Sequence, residues 1–398
     1  MRIAGIIAEY DPFHNGHAYH IAQTRDAGAE KIVVVLGGHF TQRGEPALLT
    51  KTDRVRMALA AGADLVIEMP QAFAMSSAEN FARGGVALLN ALGCVDTISF
   101  GSECGDVQII QEIADVMQKD AFKIALRESL EKGIPYAAAQ EEALNSVKNE
   151  DYAAVLSTPN NTLGLEYCRA LLALNSSIQP FTVKRTGAAH NTAAENGSFT
   201  SASHLRACVR KGNWQEILPF LPETSFEILQ NANICGHCYT NSSIFDRILL
   251  SKLRTLSRED FAALPFISEG LENRLYEAVR TQTSVDDILE TVKTKRYPLA
   301  RLRRILVAAY LDLTAEEMPL FPSYIRVLGI GARGTEVLKE AAKSARLPLF
   351  TDAKQPPTDA FSEKTFNFEC KASDLYNSLL SSPLPCGEEF KRGMLLLR

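Results

Sequence analysis

A chain of 398 residues is long enough for two or three domains of ordinary size. Hydrophobic residues at 46% and charged residues at 22% fit a globular protein with a sizeable core and exclude long disorder. The net charge of −5 excludes indiscriminate coating of nucleic acid but leaves a local basic patch open. Glu9 and Asp11 interrupt the apolar start before a signal-peptide core could form, and no stretch of about 18 apolar residues follows, so the expected location is the cytoplasm. The eight cysteines are scattered, which predicts reduced thiols rather than a disulfide framework.

The first hundred residues alternate in the βα manner. "RIAGIIA" (2–8), "KIVVVLGG" (31–38), "DLVIEMP" (64–70) and "VDTISFGSE" (95–103) read as buried strands with helical stretches between them. One of those stretches, "TKTDRVRMALAAGA" (50–63), opens on Thr50 and Asp53 like a capping box and closes at Gly62. Such alternation predicts a parallel sheet with helices on both faces, where ligands bind beyond the carboxyl ends of the strands. Residues 9–17, 37–46 and 101–105 are therefore where a site is expected.

From 105 to 150 acids and lysines interleave at helical spacing, the pattern of an insertion or cover layer. "IQPFTVKR" (178–185) supplies another strand and "TSASHLRACVRKG" (200–212) a helix, completing a first domain over 1–225 that ends in "LPFLPETS". Helical segments dominate up to 315 and a smaller mixed stretch follows. Residues 226–398 are thus expected to form a mostly helical domain ending in a small mixed α/β segment.

The first strand end carries "EYDPFHNGHAYH" (9–20), three histidines three residues apart. A strand ending near Ala8, a loop through Pro12 and a helix starting near Gly16 put His14 in the loop and His17 in the first helical turn. Backbone amides and the macrodipole there favour phosphate. Gly16 removes a Cβ that would keep a phosphate from the backbone. Two imidazoles can donate hydrogen bonds to phosphate oxygens as charge develops, without a metal. A metal site stays open as an alternative, although zinc pairs on helices usually sit four apart and no fourth ligand is evident. So does a merely exposed polar helix face.

"FHNGH" (13–17) resembles the H-x-G-H motif of the nucleotidyltransferase superfamily. "TSASHLR" (200–206) resembles its second motif, written I-S-S-T-x-I-R, with Ser201, Ser203 and Arg206 matching and Ala202 departing. "GIIAEYDPFHNGHAYH", "FTQRGEPA", "FGSE", "PNNTLGLEYCRAL" and "VKRTGAAHN" together resemble the bacterial tRNA(Met) cytidine acetate ligase family across most of the chain.

The resemblance implies a Rossmann-like, HIGH-type α/β catalytic domain that binds ATP and converts acetate to acetyl-adenylate. The acetyl group then passes to N4 of the wobble cytidine of elongator tRNA(Met). It implies ATP contacts from Ile7, Ala8, Glu9, Tyr10, Asp11, Pro12, Phe13, His14, Asn15, Gly16, His17, Ala18, Tyr19 and His20. Further contacts would come from Gly101, Asn160 or Asn161, Arg185, Ser201, Ser203 and Arg206, with His14, His17 and Arg206 catalytic. A glycine admits a nucleotide to the sheet edge, an asparagine amide reads a base or ribose, and an arginine forks onto phosphate. Each also has a plain reading as a turn, a helix cap or a solvated charge. Magnesium is expected to bridge the phosphates, with no motif naming protein ligands for it. Other acceptors, such as a phosphate ester or a carrier thiol, and a noncatalytic RNA-binding role remain alternatives.

The loop "GGHFTQRGEP" (37–46) is long and polar, which suggests a substrate lid; His39, Arg43 and Lys51 are candidates to orient acetate or phosphate. "KTKRYPLARLRR" (293–304) holds Lys293, Lys295, Arg296, Arg301, Arg303 and Arg304 without an acid, and encloses Tyr297. Such a run is either a solvated helix face or, given the resemblance, a tRNA contact using phosphate pairing and aromatic stacking. "GIGARG" (329–334) fits a dinucleotide fingerprint, but too little chain follows Asp352 to complete a doubly wound domain. "CGHC" (235–238) lacks the preceding strand of a redox motif and reads as incidental.

Overall fold

The computed structural model describes residues 2–134, 136–148, 152–185, 199–391 and 393–397. Five strands form its parallel core: β1 (Ile3–Ala8), β2 (Lys31–Leu36), β3 (Leu65–Glu68), β4 (Thr97–Ser102) and β5 (Gln179–Lys184). They lie in the order β5-β4-β1-β2-β3. The run Ile32, Val33, Val34, Val35 and Leu36 has no exposed surface, because helices cover both faces of a parallel sheet and neither face tolerates polar residues. The chain steps outward from β1 to β3, then returns to lay β4 on the other side of β1. The crevice between β1 and β4, where the direction reverses, is where such a sheet takes a ligand.

The stretch after β4 forms three helices, Val107–Gln118, Asp120–Glu131 and Tyr136–Lys148. Ile110, Ile113, Met117 and Phe122 join Phe100 and Tyr167 in one core, so this insertion is a cover layer over the β4 side of the sheet. Helices between Ser242 and Tyr310 build a second core around Phe245, Leu249, Leu275, Ile288, Leu302 and Ile305. Phe40 and Tyr376 reach into that core as well, so it is continuous with the loop after β2.

The division into 1–225 and 226–398 does not follow the sheet. β6 (Ile325–Ile330) pairs antiparallel with β3, and two short strands, β7 (Leu349–Phe350) and β8 (Leu395–Leu396), pair parallel with β6. The small C-terminal segment therefore extends the N-terminal sheet, and the helix Glu223–Ile234 runs through the expected boundary. The glycines of "GIGARG" belong to this junction. A Cβ at Gly331 would lie 2.3 Å from the Ala63 carbonyl oxygen, and one at Gly334 2.0 Å from that of Asp64. The motif is a close backbone crossing over the turn before β3.

β6 is fastened by charge as well as by its ladder. Arg326 Nη1 lies 3.3 Å from Glu68 and 2.7 Å from Glu389, and Lys51 pairs with Glu389 at 2.8 Å and with Glu68. All four side chains are buried. Removing one member leaves charge uncompensated in a low-dielectric interior. Arg326→Met is expected to cost about 3–5 kcal/mol, read as a lower urea midpoint followed by circular dichroism.

Candidate active site

The loop that leaves β1 is held from below by backbone contacts. Arg54, on the helix Lys51–Ala60, has no exposed surface and donates to the carbonyls of Glu9 at 2.8 Å, Gly37 at 3.0 Å and Gly38 at 2.5 Å. Asp11 accepts the Leu48 amide at 2.6 Å and Glu9 accepts the Gln42 amide at 2.6 Å. Tyr10 takes a positive φ of 50°; Tyr10 and Phe13 are both buried against His17, Tyr10 edge-on and Phe13 tilted. Within the expected contact run these two rings form the floor of the loop.

The helix Asn15–Asp26 begins one residue earlier than expected, and its cap is made of histidines. His14 Nδ1 accepts the Gly16 amide at 3.0 Å, and His17 Nδ1 accepts the His14 amide at 3.2 Å. The rings stack at 3.8 Å between centroids. An imidazole nitrogen that accepts carries no proton, so each neutral ring carries its proton on Nε2. Burial, and then the positive charge of Arg185 and Arg206, lowers His14 to about 3. Burial, and then His14 and Arg185, also pushes His17 well below its ordinary value. His20 falls to about 4 through burial and Arg185, and its Nε2 meets Ser99 Oγ at 2.9 Å. The site thus presents neutral imidazoles whose tautomers are fixed for the first two by the backbone. Gly16 has a different reason from the one expected: a Cβ there would come within 2.8 Å of His14 Cε1, so glycine is required by the imidazole cap itself.

Arg206 reaches this loop from the helix Ala202–Lys211, donating to the Asp11 carbonyl at 2.7 Å and lying 3.5 Å from its carboxylate. Ser201 caps that helix through the His204 amide at 3.2 Å, and its Oγ lies 3.0 Å from Ser203 Oγ. Gly101 lies inside β4 rather than after it, and a Cβ there would face the Arg185 side chain at 3.4 Å. Asn161 is spent on structure, its Oδ1 accepting the amides of Glu103 at 2.9 Å and Cys104 at 3.2 Å. Asn160 donates to Glu103 at 2.5 Å. The pair fixes the turn after β4. Residues 186–191 of "VKRTGAAHN" lie outside the described residues.

The loop 37–46 is not a free lid, because all of it except Gln42, Arg43 and Glu45 is buried. Arg303 pairs with Glu45 at 2.5 Å, Arg304 donates to the Gln42 carbonyl at 3.0 Å, and a Cβ on Gly44 would meet the Arg304 amide at 2.4 Å. Arg301 likewise donates to the Phe266 carbonyl at 2.7 Å and to Ser268 at 2.7 Å, and Tyr297 is buried beneath it rather than open for stacking. Lys293 pairs with Glu290 at 3.2 Å and Arg296 with Glu269 on the surface. Lys295 alone of the six has no ion-pair or hydrogen-bond partner among the described residues. Lys51 and His39 face Glu389, at 2.8 and 3.6 Å, so they belong to the junction with β6.

A strand-to-helix loop with paired histidines at the reversal of a parallel sheet, met by a second helix carrying serines and an arginine, is the arrangement of a nucleotidyl transferase. The family model described as HIGH nucleotidyl transferase matches residues 1–389. A protein of Acetivibrio thermocellus named tRNA(Met) cytidine acetate ligase is 36% identical over 100% of both chains, and one of the same name from a Thermoanaerobacter species is 38% identical over 100% of both. The crystal structure of Thermotoga maritima TmcAL in its apo form is similar over 100% of both chains, with 33% identity and a TM-score of 0.94. Its form bound with alpha-thio ATP gives 32% identity and 0.92, again over 100% of both chains. The chain belongs to the HIGH nucleotidyl transferase family, and within it to the tRNA(Met) cytidine acetate ligases.

Two outcomes follow from this geometry. His14 and His39 are buried neutral, with values lowered to about 3 and about 4 from an ordinary 6.5, chiefly by burial. Above the ordinary value neither folded nor unfolded chain binds these protons. As pH falls below it the unfolded chain gains protons that the folded chain refuses, and stability drops by up to about 1.4 kcal/mol per pH unit for each. Melting temperature is expected to fall between pH 6.5 and 4, and His39→Gln to flatten that slope. Arg303→Ala with Arg304→Ala is expected to loosen the Gln42 end of the loop that holds Glu9. The double variant should lower acetate-dependent ATP–pyrophosphate exchange several-fold; tRNA affinity falling while exchange stays intact would contradict this.

Proposed function

We propose that this protein is an ATP-dependent ligase that makes acetyl-adenylate from acetate and transfers the acetyl group to N4 of the wobble cytidine of elongator tRNA(Met). The observation that carries the proposal is the pair of neutral, tautomer-fixed histidines at the point where β1 gives way to a helix. An acetate oxygen attacks the α-phosphorus in line and the bond to the β-phosphate bridging oxygen breaks, releasing pyrophosphate. Charge builds on the non-bridging α-phosphoryl oxygens in that step, and two Nε2–H donors stabilise it without transferring a proton. Arg206, with Ser201 and Ser203 at the start of its helix, holds the departing pyrophosphate. Arg185, beside Gly101, supplies positive charge near the same phosphates.

In the second step the cytidine N4 attacks the acetyl carbonyl carbon. The bond to the adenylate oxygen breaks, AMP leaves and N4 gives up a proton to solvent. No covalent intermediate with the protein is involved, which agrees with thiols held in the unreactive neutral form by burial at Cys168 and Cys238.

The carboxylates nearest the loop do not fit a protein-built magnesium cage, since Asp11 and Glu9 already accept backbone amides. Magnesium in this proposal travels with the ATP phosphates, and no step depends on a protein-held ion. For tRNA, the exposed Lys293, Lys295 and Arg296 are the members of the basic run able to pair with phosphates, because exposed ion pairs such as those with Glu290 and Glu269 exchange readily. Arg301, Arg303 and Arg304 act through the framework. A tRNA substrate puts the reaction in the cytoplasm.

Mass spectrometry of tRNA nucleosides after incubation with ATP and labelled acetate tests the whole reaction. Label in acetylcytidine is expected, and exchange of pyrophosphate into ATP only with a phosphate monoester would sink it. His17→Ala should lower acetate-dependent exchange by about 10²–10³ with tRNA binding retained. Because His14 and His20 stay neutral down to about 3 and about 4, the exchange rate should show no histidine inflection between pH 5 and 8.

A further inference from the structure

The helix that carries Arg206 also carries a soft ligand set. His204 and Cys208 are four residues apart on the helix Ala202–Lys211, which places them on one face, and Glu216 on the short helix Trp214–Ile217 folds back onto that face. Cys208 Sγ lies 3.5 Å from His204 Nε2 and 3.4 Å from Glu216 Oε2, and the three ligand atoms all fall within 4.8 Å of one another. We propose that His204, Cys208 and Glu216 bind a divalent thiophilic metal ion, best matched by zinc.

Three features support the site. Tetrahedral zinc with bonds of about 2.3 Å to sulfur and 2.0–2.1 Å to nitrogen or oxygen separates sulfur from its neighbouring ligands by roughly 3.5 Å. The two separations from Sγ meet that requirement before any ion enters. The other carboxylate oxygen, Glu216 Oε1, accepts from Asn213 Nδ2 at 3.0 Å, the outer hydrogen bond that turns a carboxylate toward a metal. Glu216 is exposed while Cys208 is buried, which gives the ion an entry path and the sulfur a dry position. On binding, Cys208 releases its thiol proton to solvent and a water completes the four-coordinate shell. The ion would brace the turn 212–216 against the helix whose first residues hold pyrophosphate.

The test uses full-length protein stripped with a chelator and titrated with Zn²⁺ alone against a chromophoric indicator, and separately with Co²⁺. One Zn²⁺ per chain is expected, with affinity falling by about 100-fold or more in Cys208→Ser and by about 10- to 100-fold in Asn213→Ala. Co²⁺ should give a thiolate-to-metal charge-transfer band that Cys208→Ser lacks. Melting of the stripped variant alongside stripped wild type shows that its fold is intact; should the variant not fold, the wild-type Co²⁺ spectrum decides. Zn²⁺ binding equal in wild type and Cys208→Ser, or a Co²⁺ spectrum without the thiolate band, would overturn the site and reveal a hydrogen-bonded Cys–His–Glu chain instead.

Discussion

The Arg54 guanidinium ties together the places from which the active site is hung. It is wholly buried, and its donors go to carbonyls at the end of β1 and in the two glycines that follow β2. Burial lowers its pKa, while Asp11, Glu9 and Asp53 pull in the opposite direction. A charge so placed is tolerable because carbonyl dipoles surround it and acids stand nearby. Without it, adjacent strand ends would leave several carbonyls buried and unpaired. With it, residues 9–14 have one conformation, and the histidines that follow inherit it.

On that base two guanidinium groups stand near the histidines, one of them close to the Asp11 carboxylate. Arg185 and Arg206 face the loop, and both help to keep His14 unprotonated. In the proposed reaction their charge meets the triphosphate, while the imidazoles add directional donors that cost no reorganisation. A protonated histidine would bind ground-state phosphate more tightly. In the reaction proposed above, neutral donors fixed by backbone amides favour the more charged transition state, the differential effect that speeds a reaction. The helix with Arg206 and the loop with His14 are joined through Asp11, whose carbonyl and carboxylate both receive the arginine.

Much of this was legible in the chain itself. The β1, β2 and β4 runs, the glycine and histidines after β1, and the serine-capped helix with Arg206 carry local signals, and the structure brings that helix into contact with the loop after β1. The partners of charged side chains carry none. Arg54 looks like any helix arginine, and nothing in "RLRR" tells that Arg303 and Arg304 grip a loop more than 250 positions earlier. Tyr297 read as available for stacking because one-dimensional spacing does not show which side of a turn is packed. The domain boundary failed for a related reason: β6 has an ordinary strand pattern, and only the three-dimensional edge of β3 says where it goes. The cluster of His204, Cys208 and Glu216 emerged only from the fold, because Glu216 comes from the next helix.

The antiparallel seam between β3 and β6 also dictates how this protein is made. β3 is complete at Glu68, yet its partner is not synthesised until Ile325–Ile330, and the β8 edge is added only at Leu395–Leu396. Until β6 is made, Leu65, Val66 and Ile67 offer an unpaired, apolar strand edge, the kind that recruits other chains. The charges of Lys51 and Glu68 lie at that same edge awaiting Arg326 and Glu389. The seam thus couples a strand made early to one made more than 250 residues later, and the sheet edge at β3 stays adhesive until Ile325–Ile330 has been made.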